Sequence, residues 1–119
     1  MILMLLVMAA AEPVKLGSKE AAALTEGAVS AADGSRTWVM DKEGGNGLSA
    51  GVYAGKASVA KIDSYASDEF MFVLKGRISL RSESGNVTRL GPGDAVFVPK
   101  GWKGIWDASD YRKFYVLPK

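Results

Sequence analysis

The amino-acid sequence predicts an all-β fold, a small barrel or double-sheeted sandwich over residues 36–119, behind an N-terminal arm at 12–35 and an apolar segment at 1–11. Three observations carry this. Runs rich in β-branched and aromatic residues recur at short intervals from residue 36 onward, with turn-forming residues between them, as in all-β sandwiches and barrels. Two of these runs form strand–corner–strand blocks. One is cornered by Gly76 after Glu69-Phe70-Met71-Phe72-Val73-Leu74-Lys75, and the other runs from Gly91-Pro92-Gly93 through Val98-Pro99-Lys100-Gly101. No linker or internal repeat divides the 119 residues, so the chain reads as one domain, long enough to bury roughly 60–70% of its extended surface.

The elements follow in order. In the arm, Ser18 is a capping residue ahead of a short helix over 19–24, a run of Lys, Glu, Ala and Leu, and Gly27 ends it. Arg36-Thr37-Trp38-Val39-Met40 has the composition of a strand. Strands are then expected at 48–54 and 57–64 around Gly55, and at 69–75 and 77–82 around Gly76. A further strand at 87–90 follows a hairpin loop built on Ser84-Gly85-Asn86, whose Gly and Asn tolerate positive φ. Strands at 95–98, 102–106 and 112–117 complete the set, with Pro99 marking a strand end because it cannot donate to a ladder. Phe70-Met71-Phe72-Val73-Leu74 is apolar on both faces and is expected inside the sandwich. Glycines 44, 45, 47 and 51 loosely resemble a phosphate loop, but no helix follows them and they read as hairpin turns.

Composition excludes much chemistry. The chain has no cysteine and no histidine, so disulfides, thiol nucleophiles, Ser-His-Asp triads and histidine-held zinc or iron are impossible. Any general acid or base is Asp, Glu, Lys or Tyr, tuned by burial or a neighbour. A net charge of +2 with scattered basic residues argues against nucleic acid as a partner. Met1 to Ala11 is apolar and uncharged, too short as a helix for a bilayer core of about 30 Å, so no membrane span is expected. Ala9-Ala10-Ala11 ahead of Glu12-Pro13 has the look of a signal cleavage site, which favours a periplasmic or secreted location over a cytoplasmic one. The other reading is an apolar strand packed on the barrel or on a second subunit.

The two blocks resemble the cupin superfamily. Its first motif places two histidines and a glutamate ahead of a closing glycine, and its second a proline, a glycine and a third histidine. Here six residues separate Glu69 from Gly76, as in the first motif, while Gly93, Pro99 and Gly101 match the second. The resemblance implies a cupin-type double-stranded β-helix, a jelly-roll barrel. Asp68-Glu69, Gly93-Asp94, the run from Pro99 to Trp106 and the closing Arg112-Lys113-Phe114-Tyr115-Val116 are similar to single-domain ethanolamine-utilisation cupins and to the cupin domain of (S)-ureidoglycine aminohydrolase. That enzyme has two cupin domains and uses manganese; this chain has room for one. Counting from Gly55 puts Lys61 and Asp63 where the two histidines belong, with Ile62 and Ser64 as the alternative alignment, and the third position falls on Gly104. Only Glu69 survives of the usual ligand set, so no metal and no other cofactor is assigned, the alternative being a divalent ion held by Asp63, Glu69 and waters.

In a cupin register, residues 61, 63, 69, 102, 104 and 106 point into the barrel mouth. That would gather Lys61, Asp63 and Glu69 near Trp102 and Trp106, with added space over Gly104 and with Tyr53 and Tyr65 as secondary candidates. Glu69 is then the candidate acid–base group, and Lys61, Asp63, Tyr65, Trp102 and Trp106 the candidate ligand contacts. The alternative makes Lys61 and Asp63 solvated charges and the two indoles a plug. Asp94 is expected to bond amides of its own turn, and Arg112 and Lys113 to be strand-end surface charges. The expected function is binding, or acting on, a small polar metabolite. The alternatives are a metal-independent lyase, isomerase or aminohydrolase using Glu69, and a non-catalytic structural homodimer; a homodimer is expected in either case.

Overall fold

The computed structural model describes residues 13–40 and 47–118. Among the described residues one helix, α1 (Ser18–Glu26), precedes nine strands: β1 (Arg36–Val39), β2 (Leu48–Gly55), β3 (Ser58–Ile62), β4 (Glu69–Lys75), β5 (Ile78–Ser82), β6 (Val87–Leu90), β7 (Ala95–Val98), β8 (Gly104–Ala108) and β9 (Tyr111–Pro118). They form two antiparallel sheets, a five-stranded one in the order β1-β2-β9-β4-β7 and a four-stranded one in the order β3-β8-β5-β6. This is the expected cupin-type all-β fold.

Strand alternation sets the core. Met71 and Val73 of β4, Ile78 and Leu80 of β5, Leu90, Val98, Trp106, Ala108 and Tyr111 make one buried cluster between the sheets. Glu69 and Lys113 share this inward phase, because Glu69 precedes Met71 by two residues and Lys113 stands two from both Tyr111 and Tyr115. Gly76, at φ +79, turns β4 into β5, and a Cβ there would strike the Asp110 carbonyl, so only glycine fits that corner.

Several details depart from expectation. The helix begins at Ser18 instead of being capped by it; Gly17 is the N-cap, and its carbonyl accepts from Ala21. Its C-terminal end is held by Arg36, whose Nη1 donates to the carbonyls of Glu26 and Ala28, while Arg112 Nε donates to Thr25 Oγ1 and ties the helix to β9. The strand expected at 102–106 starts two residues later. The Trp102 carbonyl accepts from the Tyr65 amide and Gly101 N–H donates to the Tyr65 carbonyl, so the Pro99–Trp102 turn is committed to the loop before β4. Phe70 and Phe72 do not lie inside the sandwich: they sit on the outer face of β4, 44% and 37% exposed.

Other readings hold. The Glu83–Asn86 hairpin closes through Gly85 N–H to the Ser82 carbonyl, and Asp94 accepts from the Gly91 amide at 2.8 Å within its own turn. The apolar segment at 1–11 and glycines 44 and 45 lie outside the described residues; Gly51 is within β2. Among the described residues no helix is long and apolar enough to cross a membrane.

Candidate functional site

The interior charge of the barrel is an ion pair between neighbouring strands. Lys113 Nζ of β9 lies 2.7 Å from Glu69 Oε2 of β4, and each residue is only 6% exposed. Tyr65, in the loop ahead of β4, donates its hydroxyl to Glu69 Oε1 at 2.6 Å. Both carboxylate oxygens are thus engaged, one by a phenol and one by an ammonium. Around the ammonium stand three rings, with Nζ 5.3 Å from the centres of Tyr53 and Trp106 and 6.0 Å from that of Tyr111. Each face attracts the cation by about 0.5–2 kcal/mol, which offsets part of the desolvation.

Electrostatics follow burial. Desolvation pushes Lys113 below the ordinary lysine range, and the Glu69 carboxylate opposes that shift. Burial first, and then the hydrogen bond to Glu69, holds the Tyr65 phenol far above its usual value, so it stays protonated and donates. Burial likewise raises Tyr111, with Tyr53 and Glu69 adding to it.

The pair floors a cavity of about 320 Å³ lined by Thr37, Ser49, Tyr53, Glu69, Lys113, Tyr115 and Leu117. Its walls are the inward residues of β1, β2 and β9, brought together by the pairings Thr37 with Tyr53, Tyr53 with Lys113 and Ser49 with Leu117. Three hydroxyl types, an ammonium and flat rings therefore meet in a space fit for a ligand of modest size.

Of the residues expected at the site, Glu69, Tyr65 and Trp106 come together, with Tyr65 stacked on Trp106 at 6.4 Å and 16°. Trp102 borders them: it meets Tyr65 edge-on at 6.3 Å and donates its indole N–H to Ser82 Oγ. Lys61 and Asp63 do not join them. Ala60 pairs with Trp106 and Ile62 with Gly104, so the inner face of β3 carries 60 and 62, and its outer face carries 61. The side chains of Lys61 and Asp63 are 79% and 87% exposed and lie 3.8 Å apart at the surface. The place of a Gly104 side chain is filled, since a Cβ there would collide with the Arg81 carbonyl and the Trp102 indole, and Gly104 lines instead, with Lys61 and Asp63, a cavity of about 470 Å³ away from Glu69.

Lys113, expected at the surface, is the residue that sequence reasoning missed. One signal was available: Lys113 shares its phase with Tyr111 and Tyr115, whereas Arg112 shares its phase with Phe114. Which phase faces inward is set by β4 and β2 on either side.

A family profile described as the EutQ-like cupin domain matches residues 45–115, more than half of the chain. The chain belongs to this cupin family. Among solved structures, the cupin is similar to a putative ethanolamine utilization protein Q from Salmonella typhimurium LT2, at 26% identity and TM-score 0.58, covering 71% of this chain and 68% of that one. The EutQ protein of Clostridium difficile matches at 24% identity and TM-score 0.60, covering 73% and 69%. The polyketide cyclase RemF of Streptomyces resistomycificus shares the fold at 19% identity and TM-score 0.56, covering 71% and 63%. No curated protein matches the sequence at a significant level.

The metal that a cupin resemblance implies does not fit these residues. Among the described residues no three His, Cys, Asp or Glu side chains converge. Glu69 already accepts from Tyr65 and Lys113, and an ammonium 2.7 Å from the carboxylate repels a second cation. Glu69 is therefore half of an internal salt bridge and not a metal ligand.

Proposed function

We propose that this cupin binds a small polar metabolite bearing a carboxylate or carbonyl oxygen, in the cavity floored by Glu69 and Lys113. One observation carries the reading: Lys113 lines the cavity and gives one of its three ammonium N–H donors to Glu69, so its remaining donors suit an acceptor in the cavity. Ser49, Thr37 and Tyr115 supply hydroxyls for the remainder of such a ligand. A cationic ligand is disfavoured, because the protein's own ammonium occupies the aromatic box that would receive it. This reading replaces a site at Lys61, Asp63 and Trp102 with one at Lys113, Tyr53 and Tyr115.

A thermal-shift screen of small acids, amides, sugars and amines tests it. Acids or carbonyl compounds should stabilise the protein, by ~2.7 kcal/mol at a hundred times the dissociation constant. Ser49→Leu, which fills the mouth without touching the ion pair, should erase the shift. Stabilisation by amines alone, or a shift that survives Ser49→Leu, refutes the proposal.

The metal-independent lyase, isomerase or aminohydrolase alternative draws support from the unbroken Tyr65–Glu69–Lys113 chain, a buried set of proton donors and acceptors. The homodimer draws support from elsewhere. Phe70, Phe72 and Phe97 are 44%, 37% and 58% exposed on the outer face of the five-stranded sheet, where pairing sets them beside Phe114 and Val116. An apolar face of this kind suits a second copy of the chain. Light scattering should give a dimer, and Phe70→Ser with Phe97→Ser a monomer; a monomeric wild type ends that reading.

A further inference from the structure

We infer that Lys113 is a nucleophilic amine that captures a small aldehyde or 2-oxo acid as an imine inside the barrel. The inference rests on the cavity being a ligand site, as proposed above, and adds the ligand's reactive group and the fate of that group.

Geometry comes first. Lys113 lines the 320 Å³ cavity, and its Nζ is held by Glu69 at 2.7 Å with the rings of Tyr53 and Trp106 each 5.3 Å away. Burial lowers the affinity of this amine for its proton, which raises its neutral, nucleophilic fraction. The carboxylate beside it is the natural recipient of that proton. Transfer along the 2.7 Å bond removes two opposite buried charges and leaves an amine next to a carboxylic acid. Those are the two groups that carbonyl condensation needs.

The steps balance. The Lys113 nitrogen lone pair attacks the carbonyl carbon, and the C=O π pair moves to oxygen, which takes the proton from Glu69. The carboxylate then removes a proton from the nitrogen, giving a neutral carbinolamine. Glu69 returns that proton to the hydroxyl, which leaves as water while the nitrogen lone pair forms the C=N bond. The products are one water and a protonated imine beside the Glu69 carboxylate, so the net charge of the buried site does not change. Tyr65 is a positioning residue here: its 2.6 Å hydrogen bond holds Oε1 and turns Oε2 toward Lys113. Lys61, 79% exposed with only a loose 3.8 Å partner, has neither the burial nor the adjoining acid.

The test is reductive trapping on the wild-type chain. The protein is incubated near pH 7 with pyruvate, glyoxylate, glycolaldehyde or acetaldehyde plus cyanoborohydride, and adducts are mapped by peptide mass spectrometry. With at least one probe, Lys113 should be modified several-fold faster than any of the other nine lysines, because burial lowers the hold of its amine on a proton. Glu69→Gln should slow trapping at Lys113 and leave the surface lysines unchanged. Lactate and glycolate, which cannot condense, are run in the thermal-shift assay alongside. If they stabilise the protein while Lys113 stays unmodified, the imine inference falls and the binding reading stands. If nothing stabilises the protein and modification is confined to exposed lysines, both fall. Preferential trapping at Lys113 that is independent of Glu69 overturns the assigned proton path.

Discussion

Replacing Lys113 with methionine is the sharpest test of a charged barrel interior. The Met side chain keeps most of the lysine stem, so packing changes little, but Glu69 is left at 6% exposure with Tyr65 as its one remaining partner among the described residues. Removing one member of a buried pair costs about 3–5 kcal/mol, because the other charge is stranded. Against a typical domain stability of about 5–15 kcal/mol that is a large fraction. For a chain of this length the midpoint temperature should fall by roughly 10–20 °C. The lost charge can then be matched. Glu69→Leu with Lys113→Met strands no charge, yet it leaves the Tyr65 hydroxyl without an acceptor, a penalty of about 1–3 kcal/mol. The triple variant Y65F/E69L/K113M should therefore recover to within about 1–2 kcal/mol of wild type. Urea unfolding, followed by tryptophan fluorescence and circular dichroism, measures each step. If Lys113→Met loses less than about 1 kcal/mol, or the triple variant is less stable than the single one, the pair is not buried and the reasoning fails.

Three further outcomes follow from the same geometry. Tyr65, Tyr111 and Tyr115 titrate above the usual tyrosine value because of burial, so their contribution is intact below about pH 10 and is lost as pH rises beyond it. Lys113, depressed by burial, acts in reverse, with stability rising as pH approaches the ordinary lysine value of about 10.4. Three phenols against one amine should give a steep net loss above about pH 10, seen as cooperative tyrosinate absorbance; gradual titration at ordinary values contradicts it. Gly104→Ala should cost about 1–3 kcal/mol in urea unfolding, since its methyl meets the Arg81 carbonyl and the Trp102 indole; no loss would mean that the indole does not fill that space. Lys61→Ala with Asp63→Ala should change stability by no more than about 0.5 kcal/mol, as exposed pairs do, and should leave ligand shifts intact; a larger loss would put these residues back inside.

The fold and its parts were legible to very different degrees. Strand composition, the Gly76 corner and the Pro99–Gly101 turn act locally, so they announced the architecture and the place of Glu69 at the head of β4. The absence of histidine and cysteine likewise confined the chemistry to carboxylates, amines and phenols. Phase was another matter. Lys61 and Lys113 are both lysines on strands, and a shift of one residue exchanges inside for outside. Ile62 pairing with Gly104 turned Lys61 out, while Tyr53 and Val73 on either side turned Lys113 in. A strand's residues state what it can bury, but which face is buried depends on neighbours forty or more residues away in the chain. For that reason the sequence alone determined a histidine-free cupin barrel with Glu69 at the head of a strand, and only the tertiary structure decided that Asp63 would turn out and that Lys113, not Lys61, would meet Glu69 inside.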